Sequence, residues 1–353
     1  MTLYPLTFND ILMEKIWGGE ALRAHLDKPI AVGAKIGEAW ELSEYRSAVS
    51  VVNNGPLAGK RLDEVVRDRK EAILGTRLAA RFSCFPLLFK FIDAHDKLSI
   101  QVHPDDDYAR SRENDFGKME AWYVVHAEPG AKLICGLKKT MTREKIETSI
   151  RENNLEQYLN EFVIAQGDVI FVAPGTVHAL ESGTVVYEVQ EVSDLTYRIY
   201  DWGRLGDDGK PRALHIEKSL DVINYNDIGD HRTAPISLPG PGFVRHVLAA
   251  CKHFVLEKYC ISQRVSRILP ERFEVVSVLQ GQGSLHWKNG AMPIHRGQTI
   301  LVPAAVGEYA IESGPGTCTM LAAYVPESTA AVARELKELG VSEKKIEKLG
   351  GIA

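Results

Sequence analysis

Residues 165–180 read AQGDVIFVAPGTVHAL, and this stretch decides the fold class. A glycine is followed by a short run of strand-forming residues, a proline turn and a second short apolar run. Residues 295–311, HRGQTILVPAAVGEYAI, have the same order, and a gapless alignment from Gly167 and Gly297 places His178 opposite Glu308. A repeated β unit of this kind predicts two related barrels, of which the second lacks the histidine.

The rest of the chain supports a mainly β protein. Short alternating or apolar runs recur between turn residues, which favours a sandwich or a barrel; they lie at 39–43, 98–103, 121–127, 163–173, 185–192, 273–279 and 299–303. Helical patterns are local. They cover about 60–76, 142–160 and 213–224, and residues 328–349 are typical of one or two surface helices.

The amino-acid composition argues against nucleic-acid-binding and membrane-spanning proteins. The 353 residues are 45% hydrophobic and 25% charged, with a net charge of −5 and both signs interspersed, so neither a nucleic-acid partner nor a membrane is expected. The most apolar stretch, 85–92, is too short to span a bilayer and contains Lys90. Five cysteines without a CxxC pair, and an N-terminus unlike a signal peptide, predict a cytoplasmic protein with reduced thiols.

The segment LSIQVHPDD at 98–106 is the first candidate for chemistry. Because side chains alternate across a strand, Leu98, Ile100 and Val102 share one face, and a polar set shares the other; that set is Lys97, Ser99, Gln101 and His103. A polar face of this kind is either solvated or lines the interior of a barrel, and this strand by itself leaves both interpretations open.

Two further segments complete a possible metal site. Glu120, two residues after Lys118, begins the strongly apolar strand AWYVV, where an unpaired carboxylate would cost several kcal/mol. His178 begins a strand after the Pro174–Gly175 turn. Together with Gln101 and His103 they form a mixed nitrogen and oxygen donor set, which suits zinc with an open position and equally suits other divalent first-row metals.

A third polar segment, TVVYEVQEVSDLTYRIYDWGR, follows His178. Glu188 lies in its strand, and Arg198 lies among aromatic residues beyond the Ser193–Asp194 break. Both could be surface residues. The aromatic surroundings favour a buried arginine that faces an anion.

In this order LSIQVHPDD, GKMEAWY, APGTVHAL and SDLTYRIYDWGR resemble the type I phosphomannose isomerases, and in particular their short bacterial branch. The resemblance covers about residues 5–325 and includes the EKIWGG and IGEAWELS segments. It implies two cupin-type jelly-roll barrels, a small helical insertion and one zinc ion per chain. The implied zinc ligands are Gln101, His103, Glu120 and His178.

The same resemblance implies roles around the metal. Ser99 and Lys118 match positions in the substrate site, Arg198 matches an arginine over the substrate, and Glu188 matches an acidic residue of the E-x-x-x-x-S-D pattern. Trp17 of EKIWGG and Lys97 are further candidates for substrate contacts. Lys118 and Glu188 are rival general bases, and the sequence does not choose between them.

The implied domains follow from the motifs and the repeat. They are a catalytic, metal-binding cupin barrel at 1–135 and 162–235, a helical insertion at 136–161, a second, metal-free barrel at 236–325 and a helical tail at 326–353. The sequence says nothing about the oligomeric state.

The implied activity is metal-dependent interconversion of mannose 6-phosphate and fructose 6-phosphate by proton transfer through an enediol, with a small sugar phosphate as the partner. Two alternatives remain, namely a metal-dependent cupin oxygenase and a non-catalytic cupin that binds sugar phosphates. One departure concerns the Lys-x-Glu motif. Longer family members have a histidine before the lysine and a proline after it, where this chain has Gly117 and Met119.

Overall fold

The computed structural model describes residues 2–206 and 209–352. Met1 and Ala353, which end two of the predicted domains, and Asp207 and Asp208, within the first predicted barrel, lie outside the described residues. Among the described residues, no helix combines the length and the apolar character that crossing a bilayer requires.

Strands dominate the described chain. In its first half they are β1 (Leu6–Thr7), β2 (Ile11–Gly19), β3 (Ile36–Leu42), β4 (Glu44–Tyr45), β5 (Ala48–Val49), β6 (Leu87–Ala94), β7 (Ile100–Val102), β8 (Glu120–Ala127), β9 (Lys132–Leu137), β10 (Leu159–Val163), β11 (Val169–Val172), β12 (His178–Leu180), β13 (Thr184–Glu191) and β14 (Tyr197–Tyr200). In its second half they are β15 (Ile236–Gly240), β16 (Phe243–Ala250), β17 (Val255–Ile261), β18 (Arg264–Ile268), β19 (Glu274–Gln280), β20 (Gln282–Trp287), β21 (Gly290–His295), β22 (Thr299–Val302), β23 (Glu308–Ser313) and β24 (Cys318–Tyr324).

Helices are short and mostly peripheral. They are α1 (Ala21–Leu26), α2 (Leu62–Leu74), α3 (Thr76–Arg81), α4 (Asp106–Glu113), α5 (Arg143–Arg151), α6 (Ile216–Val222), α7 (Thr329–Glu338) and α8 (Glu343–Ile346). Single 3₁₀ turns occur at Gly55–Leu57, Leu155–Tyr158, Ala304–Val306 and Glu347–Leu349. The sequence pattern did not predict α1, α3 or α4. The helix expected at 142–160 is shorter than predicted: it ends at Arg151, and a 3₁₀ turn and β10 follow it.

Two sheets build the first barrel. One has the order β11-β8-β13-β6-β3-β2 and the other β10-β9-β12-β7-β14. In β8 and β13 alternate residues face opposite ways. Trp122 lies in an apolar cluster inside the barrel, whereas Tyr123, Tyr187 and Val189 lie in a cluster shared with the second barrel. The outer face of the five-stranded sheet, including Ile100 and Val102, is covered by α5 and α6.

Two further sheets build the second barrel, with the orders β1-β22-β19-β24-β17-β16-β15 and β18-β23-β20-β21. The predicted repeat is present. β11 and β22 each lie in a barrel's larger sheet, and after a proline turn β12 and β23 each enter the opposite sheet. The mainly β fold with two barrels is therefore confirmed.

The strand pairing departs from the predicted division at the N-terminus. Leu6 and Thr7 pair with Leu301 and Ile300 of β22, so this strand belongs to the sheet of the second barrel although 1–135 was assigned to the first. It covers an edge that β22 would otherwise expose. The other domain limits stay a proposal.

Strands β20 and β21 of the second barrel form a hairpin. Trp287 pairs with Gly290, so Lys288 and Asn289 form its two-residue turn. The C-terminal tail packs on the second barrel, where Val332, Leu336 and Ile346 join a cluster with strands β15, β16 and β24.

The two barrels share one apolar core. The outer face of the six-stranded sheet lies against the seven-stranded sheet, and the buried side chains from the second barrel include Leu256, Val275 and Leu321. The hydroxyl of Ser277 also donates a hydrogen bond to the hydroxyl of Tyr187 across this interface (3.1 Å). A continuous core of this kind holds the two barrels in one orientation.

The second barrel contains a buried ionic cluster. Glu257 is fully buried, and its carboxylate accepts hydrogen bonds from Arg245 (3.1 Å) and Arg267 (3.3 Å) and from the hydroxyl of Tyr259 (2.8 Å). Burial raises the pKa of Glu257, but the two arginines outweigh burial and lower this pKa to about 2. The charge of this carboxylate is therefore fully compensated within the protein.

We predict that Glu257→Gln destabilises the fold by roughly 2–3 kcal/mol at neutral pH, since it removes the carboxylate that two buried arginines share. Arg245 keeps Glu335 and Arg267 keeps Glu274 as a partner in this variant. The folded-state pKa lies below the ordinary value of 4.5, so the ionised form contributes stability above that value and loses it as the pH falls toward about 2. Denaturant unfolding should show a gap between wild type and variant that narrows in acid. The exposed carboxylate of Glu312, 3.2 Å from Arg264, is the control, and Glu312→Gln should cost less than about 1 kcal/mol. Equal losses in the two variants would contradict the prediction.

Candidate metal centre and active site

Three strands of the five-stranded sheet place polar side chains in one row. Gln101 of β7 pairs directly with His178 of β12 on one side and with Arg198 of β14 on the other. Residues that lie directly opposite each other share a face of the sheet. Ile100 and Val102 pack under the helices on the outer face, so Gln101, His178 and Arg198 point into the first barrel.

The facing sheet supplies a carboxylate. Glu120 is the first residue of β8 and is fully buried. Its Oε1 lies 3.4 Å from Nε2 of His178, and its Oε2 lies 3.7 Å from Nε2 of His103 and 3.1 Å from Nζ of Lys118. The donor atoms of His103, Glu120 and His178 all lie within 4.8 Å of one another. The structure therefore brings together residues that are far apart in the sequence.

These atoms fit a metal ion. Nε2 of His103 and both carboxylate oxygens of Glu120 are buried and accept no hydrogen bond from a described residue. The Nδ1 atoms are occupied, because His103 donates to the carbonyl of Leu195 (2.7 Å) and His178 donates to that of Thr176 (2.9 Å). Carbonyl partners of this kind fix the tautomer that turns the Nε2 lone pair toward a metal.

Both imidazoles are held in the neutral form that binds metals. Burial lowers the pKa of His103 well below its ordinary value, and the nearby Lys118 and His178 add to this shift. Burial lowers the pKa of His178 to about 4 despite its bond to Thr176. Neither ring competes for a proton near neutral pH, so both can donate a lone pair to a cation.

Gln101 lies beside this group at the partly exposed end. Its amide nitrogen is 3.2 Å from Nε2 of His178. Turning the amide by half a revolution exchanges its nitrogen and oxygen, and such an exchange would place the oxygen where a ligand is needed. All four predicted ligands are thus close together.

Steric crowding explains why this chain has Gly117 where the longer family members have a histidine. A Cβ added to Gly117 would lie 2.5 Å from the backbone nitrogen of Asp106 and 2.6 Å from the carbonyl carbon of Asp105. The backbone nitrogen of Gly117 also donates a hydrogen bond to the Asp106 carboxylate (3.1 Å). The start of α4 fills the space, so the histidine of the longer family members has no room here.

Glu188 lies in the barrel interior close to the donor group. Its Oε2 accepts a hydrogen bond from the indole nitrogen of Trp122 (2.8 Å), whereas its buried Oε1 accepts none from the described residues. Burial and the charge of Glu120 raise the pKa of Glu188, although Lys118 and Lys90 act in the opposite direction. Glu188 therefore keeps one carboxylate oxygen available.

Lys90 is a residue that sequence reasoning missed. It lies in a fully buried strand, and its Nζ is 3.1 Å from Asp194, 3.6 Å from Glu188 and 3.7 Å from Glu38. Burial lowers the pKa of Lys90, but these three carboxylates outweigh burial and raise it. A lysine inside an eight-residue apolar strand was the available signal, because such a charge needs partners.

The remaining predicted site residues are Ser99, Trp17 and Lys97. Ser99 is buried directly before β7, and Trp17 is buried in the apolar cluster that contains Trp122. The ammonium of Lys97 instead lies 3.4 Å from the ring centroid of Trp202. Contact with that ring takes Lys97 away from the face that strand alternation predicted for it.

Arg198 is half-buried in the row that includes Gln101. Its Nη1 donates to the carbonyl of Ala213 (2.9 Å), and its buried Nε has no partner among the described residues. Burial lowers the pKa of Arg198, and Arg212 adds to the effect. A guanidinium with a free buried donor can hold an anionic oxygen.

A second group of possible donors, Asp106, Glu191 and His253, lies between the barrels in the described chain. Its atoms already have partners, since Nδ1 of His253 is 2.9 Å from Glu191 and Asp106 is paired with Arg110 (3.1 Å). Glu191 and His253 therefore bind each other across the interface between the barrels. The absence of metal from the second barrel stays a prediction.

Comparison with known proteins agrees with this geometry. Residues 6–119 match the model of the phosphomannose isomerase type I catalytic domain, and residues 245–325 match the mannose-6-phosphate isomerase cupin domain. The chain is 37% identical to the probable mannose-6-phosphate isomerase GmuF of Bacillus subtilis. The aligned 322 residues cover 91% of this chain and 99% of that relative. It is 36% identical to the mannose-6-phosphate isomerase of Streptococcus mutans, over 86% of this chain and 93% of that protein.

A solved structure supports the same assignment. The crystal structure of the mannose 6-phosphate isomerase from Bacillus subtilis superimposes with a TM-score of 0.84 at 31% identity, over 91% of this chain and 99% of that one. Sequence, fold and donor group therefore point the same way, and the chain belongs to the type I phosphomannose isomerase family.

Proposed function

We propose that the protein is a metal-dependent mannose-6-phosphate isomerase that interconverts mannose 6-phosphate and fructose 6-phosphate. The observation that carries the proposal is the buried group of His103, Glu120 and His178, in which three donor atoms have no hydrogen-bond partner among the described residues. We propose zinc as the ion and Gln101 as the fourth ligand, because two imidazoles with a carboxylate suit zinc. When bound, a divalent ion supplies Lewis acidity toward the oxygens on C1 and C2 of the sugar.

The reaction moves a proton between C1 and C2 of the open-chain sugar phosphate through an enediol. The base must have a free lone pair. Oε1 of Glu188 has one, whereas the ammonium of Lys118 has none while it pairs with Glu120. We therefore assign Glu188 as the base, with Trp122 holding its other oxygen in place.

The cations then act on the charge that develops in the reaction. Lys118 is buried beside Glu120 and donates toward the oxyanion that forms as the carbon loses its proton. Arg198 uses its free donor on an anionic oxygen of the substrate. Lys90 balances Glu188 and Glu38 and so keeps the interior close to neutral overall.

We predict that a chelator abolishes isomerisation and that zinc restores it. His103→Ala and His178→Ala should each lower bound metal and activity, since each removes one of few ligands. The partly exposed His286 of the second barrel is the matched control, and His286→Ala should change neither. Metal analysis with a coupled isomerase assay measures both properties, and it separates an isomerase from an oxygenase or a sugar-phosphate binder. Full turnover in a verified metal-free sample would end the proposed mechanism.

Arg198→Ala should lower kcat at least about tenfold, equivalent to about 1.4 kcal/mol of transition-state stabilisation. The metal content of the Arg198→Ala variant should stay near that of wild type, because Arg198 is not among the proposed metal ligands. Arg198→Lys should restore little, since lysine lacks the planar fork. Steady-state kinetics and metal analysis test this, with the exposed Arg264→Ala as control. Unchanged kinetics in Arg198→Ala would remove the residue from the active site.

Glu188→Gln should lower kcat about a hundredfold or more, the usual contribution of a general base. The amide oxygen can still accept from Trp122, so the variant should fold and bind metal. Running the reaction in D₂O and following deuterium uptake into the sugar isolates the proton-transfer step. If Lys118→Met lost this exchange while Glu188→Gln kept it, Lys118 would be the base.

A further inference from the structure

A cleft of about 640 Å³ lies at one edge of the interface between the two barrels. One wall carries Tyr123 and His126 of β8, and the opposite wall carries Lys258 of β17 and Thr319 of β24. His25 of α1 and Arg296 also line it. Its volume falls in the range of small-molecule sites, which often occur between domains.

The lining of this cleft is basic in a protein whose net charge is −5. Lysine, arginine and two histidines line it, and none of the described lining residues is acidic. Arg296 is already paired, since its Nε and Nη2 bind the two oxygens of Asp27 (2.7 and 2.5 Å). The charge that needs an explanation is therefore that of Lys258.

Lys258 has no ion-pair partner in the described chain. Its ammonium group lies over the face of Tyr123, whose ring centroid is 5.4 Å from the ammonium nitrogen. The lysine is only partly exposed, so water compensates its charge less completely than at an open surface. An anion in the cleft would supply the missing partner.

The two imidazoles are similarly available. The rings of His25 and His126 stack with their centroids 4.0 Å apart and an angle of 22° between the planes, and neither makes a hydrogen bond to a described residue. Burial lowers the pKa of His25, and His126 and Arg296 lower it further because they repel a second positive charge. Each ring can therefore donate at least one N–H to an anion that lies beside the ammonium of Lys258.

We propose that this cleft binds a small phosphate-bearing anion that bridges the two barrels. A phosphate group presents several acceptor oxygens, which can take donors from Lys258, from the two imidazoles and from the hydroxyl of Thr319. The site is separate from the proposed active site, because Tyr123 faces the cleft whereas Trp122 points to the opposite side of β8 and binds Glu188.

The test uses the full chain and follows the ring signals of His25 and His126 by NMR, assigned with His25→Gln and His126→Gln. Adding inorganic phosphate to millimolar concentration should shift both signals in the wild type. In Lys258→Met, which removes the charge but keeps a long unbranched side chain, the apparent Kd should rise at least tenfold, and Lys258→Arg should retain binding. The control is Lys252→Met, an exposed lysine in the turn before β17, which should bind like wild type.

A second arm separates the two sources of the phosphate group. Glycerol 3-phosphate and inorganic phosphate are titrated in parallel, and their apparent Kd values are compared. A lower Kd for glycerol 3-phosphate identifies a phosphate ester as the ligand class, and a lower Kd for inorganic phosphate identifies the free ion. Arg198→Ala, which alters only the proposed active site, should leave these shifts unchanged. Ring signals that do not respond to either probe, or that respond equally in Lys258→Met and wild type, would overturn the proposal.

Discussion

Glu120 is the residue on which the site depends. Its carboxylate has no exposed surface, and neither oxygen accepts a hydrogen bond from a described residue. Removing an ionised carboxylate from water costs many kcal/mol unless positive charge replaces the lost hydration. Lys118 at 3.1 Å supplies one charge, and a divalent ion between Glu120 and the two imidazoles would supply the rest. The same interior requires neutral histidines, which burial provides.

The two barrels show how one fold supports different interiors. In the first barrel the polar side chains leave donor atoms free at one end, and in the second Arg245, Arg267 and Glu257 satisfy one another. The second barrel instead contributes the apolar face against which the first barrel packs. Function thus follows from which polar groups remain unsatisfied and not from the fold itself.

Strand β8 connects several of these features because its side chains alternate. Glu120 and Trp122 face the proposed active site, and Tyr123 faces the second barrel. A displacement of β8 would therefore move the carboxylate of Glu120 and the interdomain contacts together.

The sequence by itself determined the repeated β unit, the two faces of the strand at 98–103 and the types of donor residue, because strand alternation and the chemistry of ligands are local properties. Residue types and strand positions already suggested the four donors, and the family resemblance added zinc as the expected ion. Only the tertiary structure decided that Arg198 lies opposite Gln101, that Lys90 balances Glu188, and that β1 joins the second barrel. Register and charge pairing between residues some hundred or more positions apart depend on how the sheets close, which no local pattern records.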